Sequence, residues 1–152
     1  MGVRSLTDMS AMYQETLLAH YRAPKNRREI VDATGSASRK NPLCGDAMRV
    51  MVRVVGERVE DAAFVGNGCS IAVASASMMT EVLPGLSRED AIAMAERVEA
   101  MLAGAEVTLP DGLAALRGVA PFAARHGCAV MAWRAMREAV MGGARQVQNS
   151  HS

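Results

Sequence analysis

The stretch Cys44-Gly45-Asp46-Ala47-Met48-Arg49-Val50-Met51-Val52-Arg53-Val54-Val55-Gly56-Glu57-Arg58-Val59-Glu60-Asp61-Ala62-Ala63-Phe64-Val65-Gly66-Asn67-Gly68-Cys69 decides the fold. Met48, Val50, Val52 and Val54 alternate with Arg49 and Arg53, the signature of a strand with one apolar face. Gly56-Glu57 makes a turn, and Val59, Asp61, Ala63 and Val65 alternate on the return, so the stretch predicts an antiparallel hairpin. Gly66-Asn67-Gly68 breaks the second strand. A lone hairpin is marginal in water, so its apolar face needs helices.

The flanks supply them. Upstream, Met9, Met12, Tyr13, Thr16, Leu17 and His20 recur at helical spacing over residues 7–22, with Thr7 or Asp8 as cap and Pro24 as stop. Lys25, Arg27 and Arg28 make residues 24–30 a basic connector, with a short strand expected near Ile30 and Val31. Gly35 to Lys40 has no periodicity and reads as a loop. Downstream, a small-residue helix is expected over 71–83, closed by Pro84-Gly85. Ser87 and Asp90 resemble a capping box that opens a helix carrying Met94, Val98, Met101 and Leu102 inward. Pro110 and Pro121 bracket a short helix over Leu113 to Leu116. The last helix is expected from Cys128 to Met141, with Gly142-Gly143 ending it and a frayed polar tail over about 143–152. The whole chain, 1–152, then reads as one α+β domain: a small antiparallel sheet of about three strands with helices mainly on one face.

Composition narrows the function. Half of the 152 residues are hydrophobic and the formal net charge is +1, which supplies no bulk charge for nucleic acid or a membrane surface. Aromatics at 3% leave few base-stacking platforms. No run approaches the roughly 18 apolar residues of a membrane span, and the N-terminus has no hydrophobic signal region, so the expected location is the cytoplasm. In a reducing compartment three cysteines are not expected to form structural disulfides, and their odd number argues the same way.

The cysteines fall at element ends. Cys44 precedes the hairpin and Cys69 follows it, so the hairpin returns them to one edge; Cys128 opens the final helix. Each has a glycine beside it: Gly45, Gly68 and Gly127. Three thiolates together need cationic compensation, and with an oxygen from Asp46 they make a four-coordinate set suited to zinc. The residues alone leave alternatives open. Free cysteines are often small buried hydrophobes, and no CxxC pair is present. His20 and His126 are further candidate ligands, and Asp46 is also a good turn former.

Taken together, Asn41-Pro42-Leu43-Cys44-Gly45-Asp46, Gly66-Asn67-Gly68-Cys69-Ser70-Ile71, Ala74 to Thr80, and Arg125-His126-Gly127-Cys128-Ala129 with Trp133 resemble the iron–sulfur assembly family of IscU, SufU and the N-terminal domain of NifU. Tyr13 and His20-Tyr21-Arg22-Ala23-Pro24-Lys25-Asn26 extend the resemblance, which runs from Met12 to about Val140. IscU-type members carry a His immediately before the third cysteine; here that residue is Gly127, with His126 one place earlier. SufU-type members lack that His and carry an insertion. Here 58 residues separate Cys69 from Cys128, and about 104–120 look like the insertion. Arg125, Gly118-Val119 and Phe122 also resemble the SufU branch, whereas Ala123 stands where a proline is usual.

The resemblance implies one zinc held by Cys44, Asp46, Cys69 and Cys128. It implies a sulfurtransferase that takes persulfide sulfur from the cysteine desulfurase SufS and delivers it to the SufBCD scaffold. It gives Cys44 the role of sulfur acceptor and makes Arg125 a candidate for steadying the transferred sulfur or contacting the partner. The competing expectation is an IscU-like scaffold that assembles a [2Fe–2S] cluster on the same cysteines.

Overall fold

Alternation of apolar and charged residues in the hairpin stretch produces two long strands, and a third, polar strand joins them. The computed structural model describes residues 2–41 and 45–149, with side chains described over 11–41 and 45–142. The elements are α1 (Gly2–Arg22), β1 (Gly35–Asn41), β2 (Asp46–Val55), β3 (Arg58–Asn67), α2 (Ser70–Val82), α3 (Arg88–Leu102) and α4 (His126–Asn149). Two 3-10 segments, Asp111–Val119 and Ala123–Arg125, lie between α3 and α4. The sheet is antiparallel in the order β1-β2-β3. The architecture is α+β, with a three-stranded antiparallel sheet covered on one face by helices. Helix α4 lies on β1 and β2, α2 lies on β3 and α4, α1 covers α2, and α3 covers α4.

Five local readings need correction. Gly35 to Lys40 is strand rather than loop. It sits at the sheet edge with Arg39 and Lys40 exposed, so only Gly35 and Ala37 face the core and no hydrophobic run marks it. Ile30 and Val31 lie outside any strand. Ile30 packs with Met51 and Ala63 in a small second cluster on the other face of the sheet. The return strand does not keep one alternation, because the β2–β3 register shifts between Arg53 and Val54. An extra residue in one strand reverses which side chains face inward. Val59, Ala62 and Phe64 therefore join Met48, Val50, Val52 and Val54 in the main core, while Ala63 and Val65 turn to the opposite face. The final helix has a non-helical residue at Gly142 (φ −137°) but continues beyond that kink to Asn149. Residues 150–152, the end of the tail expected to fray, lie outside the described residues. The first helix begins at Gly2, five residues before the expected Thr7.

Connector residues 23–34 close the second face. Phe64 N donates to Asn26 O at 3.1 Å, and Arg27 donates to Gly66 O at 2.6 Å with its guanidinium 5.9 Å from the Phe64 ring centroid. Arg49 and Arg53, outward on β2, pair with Glu29 and Asp32 of this connector. Such exposed pairs contribute at most about 1 kcal/mol each, so the apolar contacts of Ile30 with Met51 and Ala63 carry the packing.

Helix α2 is central, and its buried face runs from Ala72 to Thr80 without interruption. A helix apolar on all sides belongs in the interior. Its buried polar side chains, Ser75, Ser77 and Thr80, are all engaged. Ser77 Oγ accepts from Lys25 N at 2.8 Å and meets His20 Nδ1 at 2.7 Å. Asn26 donates to Thr80 Oγ1 at 3.1 Å. The His20-to-Asn26 motif thus clamps the end of α1 onto α2. Burial pushes the His20 pKa down, opposed by Glu81 and reinforced by Lys25.

Gly66 carries a large stability prediction. Its φ is +125°, and a Cβ there would press on Ala47 O and lie 2.9 Å from Met48 Cα. Both are backbone atoms of β2, with which Gly66 is paired, so neither moves without opening the ladder. Gly66→Ala is expected to lower stability by about 3 kcal/mol or more, read as a fall in the denaturant midpoint at unchanged slope.

Candidate metal centre

The corner of the sheet where β1 ends, β2 begins and β3 hands over to α2 gathers the candidate ligands. Asn41 pairs with Asp46, and Ala47 pairs with Asn67, so the chain ends of all three strands meet here. Cys69 is the N-cap residue of α2, one turn of backbone beyond β3. Cys128 is the third residue of α4, which crosses β1 and β2. Each of these three candidate ligands is thus fixed by a different rigid element.

Asp46, Cys69 and Cys128 each place a ligand atom within 4.8 Å of the others. Asp46 is only 5% exposed and Cys128 is fully buried. Asp46 Oδ1 accepts from Cys69 N at 3.1 Å. Its other oxygen, Oδ2, is buried with no hydrogen-bond partner among the described residues. A buried carboxylate oxygen left unpaired is costly, on the order of 1–3 kcal/mol. If all three groups ionise within 4.8 Å of one another, each pair repels by on the order of 3–4 kcal/mol at an effective dielectric of about 20. One divalent cation removes both penalties. Two soft sulfurs and one carboxylate oxygen are a zinc-type donor set with room for a fourth ligand.

Cys44, the remaining expected ligand, lies outside the described residues. Its described neighbours stand at the same corner: Gly45 N donates to Asn41 O at 2.8 Å, and the chain then enters β2 at Asp46. His20 and His126 are not part of the cluster. His20 is engaged with Ser77, and His126 Nε2 donates to Ala120 O at 2.8 Å. Arg125 is exposed and closes the 3-10 turn immediately before α4. With Tyr13, Leu17, Ile71, Val119 and Phe122 it lines a cavity of about 130 Å³ between α1, the start of α2 and the two 3-10 segments.

Sequence reasoning missed two supports of this centre. Ser75 Oγ donates to Ala129 O at 2.6 Å, and the Trp133 indole donates to Ser75 Oγ at 3.1 Å. This buried relay ties α2 to the turn of α4 that carries Cys128, and so fixes the helix of Cys69 against the helix of Cys128. A serine in a helix buried on all sides was the available signal. The second is Asn41, whose side-chain Nδ2 donates to Cys128 Sγ at 3.7 Å.

Residues 12–148 match the NifU-like N-terminal domain family, and the chain belongs to that family. It is 37% identical over 137 residues to the zinc-dependent sulfurtransferase SufU of Bacillus subtilis, covering 88% of this chain and 92% of that protein. It is 34% identical over 139 residues to the iron–sulfur cluster assembly scaffold protein IscU of Streptococcus pyogenes, covering 90% and 87%. A solved structure from Fervidobacterium islandicum, assigned provisionally as an iron–sulfur cluster assembly scaffold protein for the SUF system, superposes with a TM-score of 0.78 at 26% identity, covering 83% of this chain and 94% of that one. Among the described residues no helix is long and apolar enough to cross a membrane.

Proposed function

We propose that this protein is a zinc-dependent sulfurtransferase of iron–sulfur cluster assembly, working in the cytoplasm between the desulfurase SufS and the SufBCD scaffold. The observation that carries the reading is the trio of Asp46, Cys69 and Cys128, with ligand atoms within 4.8 Å of one another, together with the unpaired, buried Asp46 Oδ2. Cys44 completes the proposed ligand set. Gly127, where IscU-type members place a histidine, and the similarity to the Bacillus subtilis protein favour transfer over scaffolding.

Zinc, when bound, supplies a redox-inert Lewis acid that keeps its cysteines as thiolates. The chain's own residues do the rest. The Cys44 thiolate attacks the terminal sulfur of the desulfurase persulfide. A new S–S bond forms on Cys44 as the old one breaks, and the desulfurase cysteine leaves as a thiolate, so the step is redox-neutral. Cys69 and Cys128, each set in a helix start, stay in place throughout. Arg125, exposed beside the first turn of α4, offers a guanidinium to the sulfur-bearing partner.

Metal analysis paired with a desulfurase assay tests the proposal. The expected result is a colourless protein with one zinc per chain that raises desulfurase turnover. A brown protein holding iron and sulfide in place of zinc would establish the [2Fe–2S] scaffold reading instead. Zinc without any stimulation would leave a zinc-stabilised binding module.

A further inference from the structure

We infer that Asn41 is a positioning residue that holds Cys128 as the fixed thiolate of the metal centre, and that Gly127 is kept without a side chain to make room for it. The inference rests on the metal reading above and extends it to residues outside the ligand set. Asn41 joins β1, the entry to β2 and the start of α4 at this corner. Its backbone pairs with Asp46, its carbonyl accepts from Gly45 N at 2.8 Å, and its side-chain amide donates to Cys128 Sγ at 3.7 Å. An N–H···S bond draws charge from a thiolate and fixes the direction of its lone pairs, the way outer hydrogen bonds orient and tune metal ligands. The bond also crosses from the end of β1 to the third residue of α4, so it locks the Cys128 side chain to the strand that leads into Cys44.

Gly127 supplies the second observation. A Cβ at this position would lie 3.1 Å from Asn41 Nδ2, and its next nearest contact is Asn41 Cγ at 3.9 Å. The space a side chain at 127 would enter is thus bounded by the Asn41 amide. Gly127 is an exposed residue of a helix, where alanine would ordinarily be the better helix former. Its glycine therefore works against local helix stability, and the neighbouring amide is what it accommodates.

The test uses the full chain loaded with cobalt(II) as a spectroscopic substitute for zinc. Wild type is expected to show the thiolate-to-cobalt charge-transfer band of a sulfur-rich tetrahedral site. Asn41→Ala is expected to shift that band and to speed metal loss to a chelator by about tenfold or more. Gly127→Ala keeps the amide but crowds it, and is expected to move both readouts in the same direction by less. It should also leave the metal-free melting temperature equal or higher, an opposition that a merely structural role does not produce. If Asn41→Ala fails to fold, Gly127→Ala alone decides the matter. Wild-type spectra and release rates in the folded variants would overturn the inference and leave the metal reading intact. A wild type with no thiolate charge-transfer band would overturn both.

Discussion

Cys69→Ser is expected to lose the metal and, in its presence, to melt below wild type by on the order of 10 °C. A hydroxyl stays protonated at neutral pH and does not replace a thiolate on zinc. A metal at about a thousandfold over its dissociation constant stabilises the folded chain by about 4 kcal/mol. In a chain of this length each kcal/mol is worth about 2–4 °C. The substitution is diagnostic because its effect without metal runs the other way. Cys69 is the N-cap residue of α2, with extended backbone (φ −67°, ψ 171°) and no side-chain cap bond. Serine is among the preferred residues there and brings a hydroxyl that accepts from the open N–H groups of the first turn. With chelator present the variant should therefore equal or exceed wild type. Melting curves with and without zinc, together with metal content, check both halves. A variant with full zinc and an unchanged melting temperature would remove Cys69 from the centre.

Legibility followed burial. The hairpin was readable because Met48, Val50, Val52 and Val54 lie under helices on one face only, which imposes period two on the sequence. The inner set of β3 was not, because a single register shift beside Arg53 leaves no trace in composition. It showed only in the outcome, where Ala62 and Phe64 took the places expected of Ala63 and Val65. The edge strand was hidden for a different reason. Gly-Ser-Ala-Ser-Arg-Lys-Asn offers no apolar run, and what makes it a strand is tertiary: β2 beside it and α4 above it.

The same division runs through the candidate metal centre. The grouping of Cys69, Cys128 and Asp46 was readable because each falls at an element end and the hairpin returns two of them to one edge. The supports were not. Ser75 and Asn41 act across 54 and 87 residues of chain, on Ala129 O and Cys128 Sγ respectively. No local pattern announces a hydrogen bond of that span. Each became legible only once α4 was seen to pass over both the central helix and the edge strand.

Replacing Cys44 with alanine is expected to reduce desulfurase turnover to the rate of the desulfurase alone. Thiolate character does not choose among three cysteines on one cation, so access and freedom of movement must. Cys128 is fully buried within α4, and its sulfur accepts from Asn41. A persulfide built there would have no path to a second protein without unwinding the helix. Cys69 is partly exposed, but its backbone is held on both sides, its N–H by Asp46 Oδ1 and its carbonyl by Val73 N, each at 3.1 Å. Moving it outward would break the first backbone bond of α2 and take from Asp46 Oδ1 its N–H donor. Cys44 belongs to the short connection from β1 to β2, and the residue after it, Gly45, has φ +74°, a conformation glycine adopts at little cost. A carrier must receive sulfur from one partner and release it to another, and Cys69 and Cys128 are each held at the start of a helix. Mass spectrometry of wild type after reaction with the desulfurase is expected to show one added sulfur on the peptide containing Cys44. Sulfur on the Cys128 peptide, with Cys44→Ala still stimulating the desulfurase, would transfer the carrier role to the start of α4 and overturn the assignment.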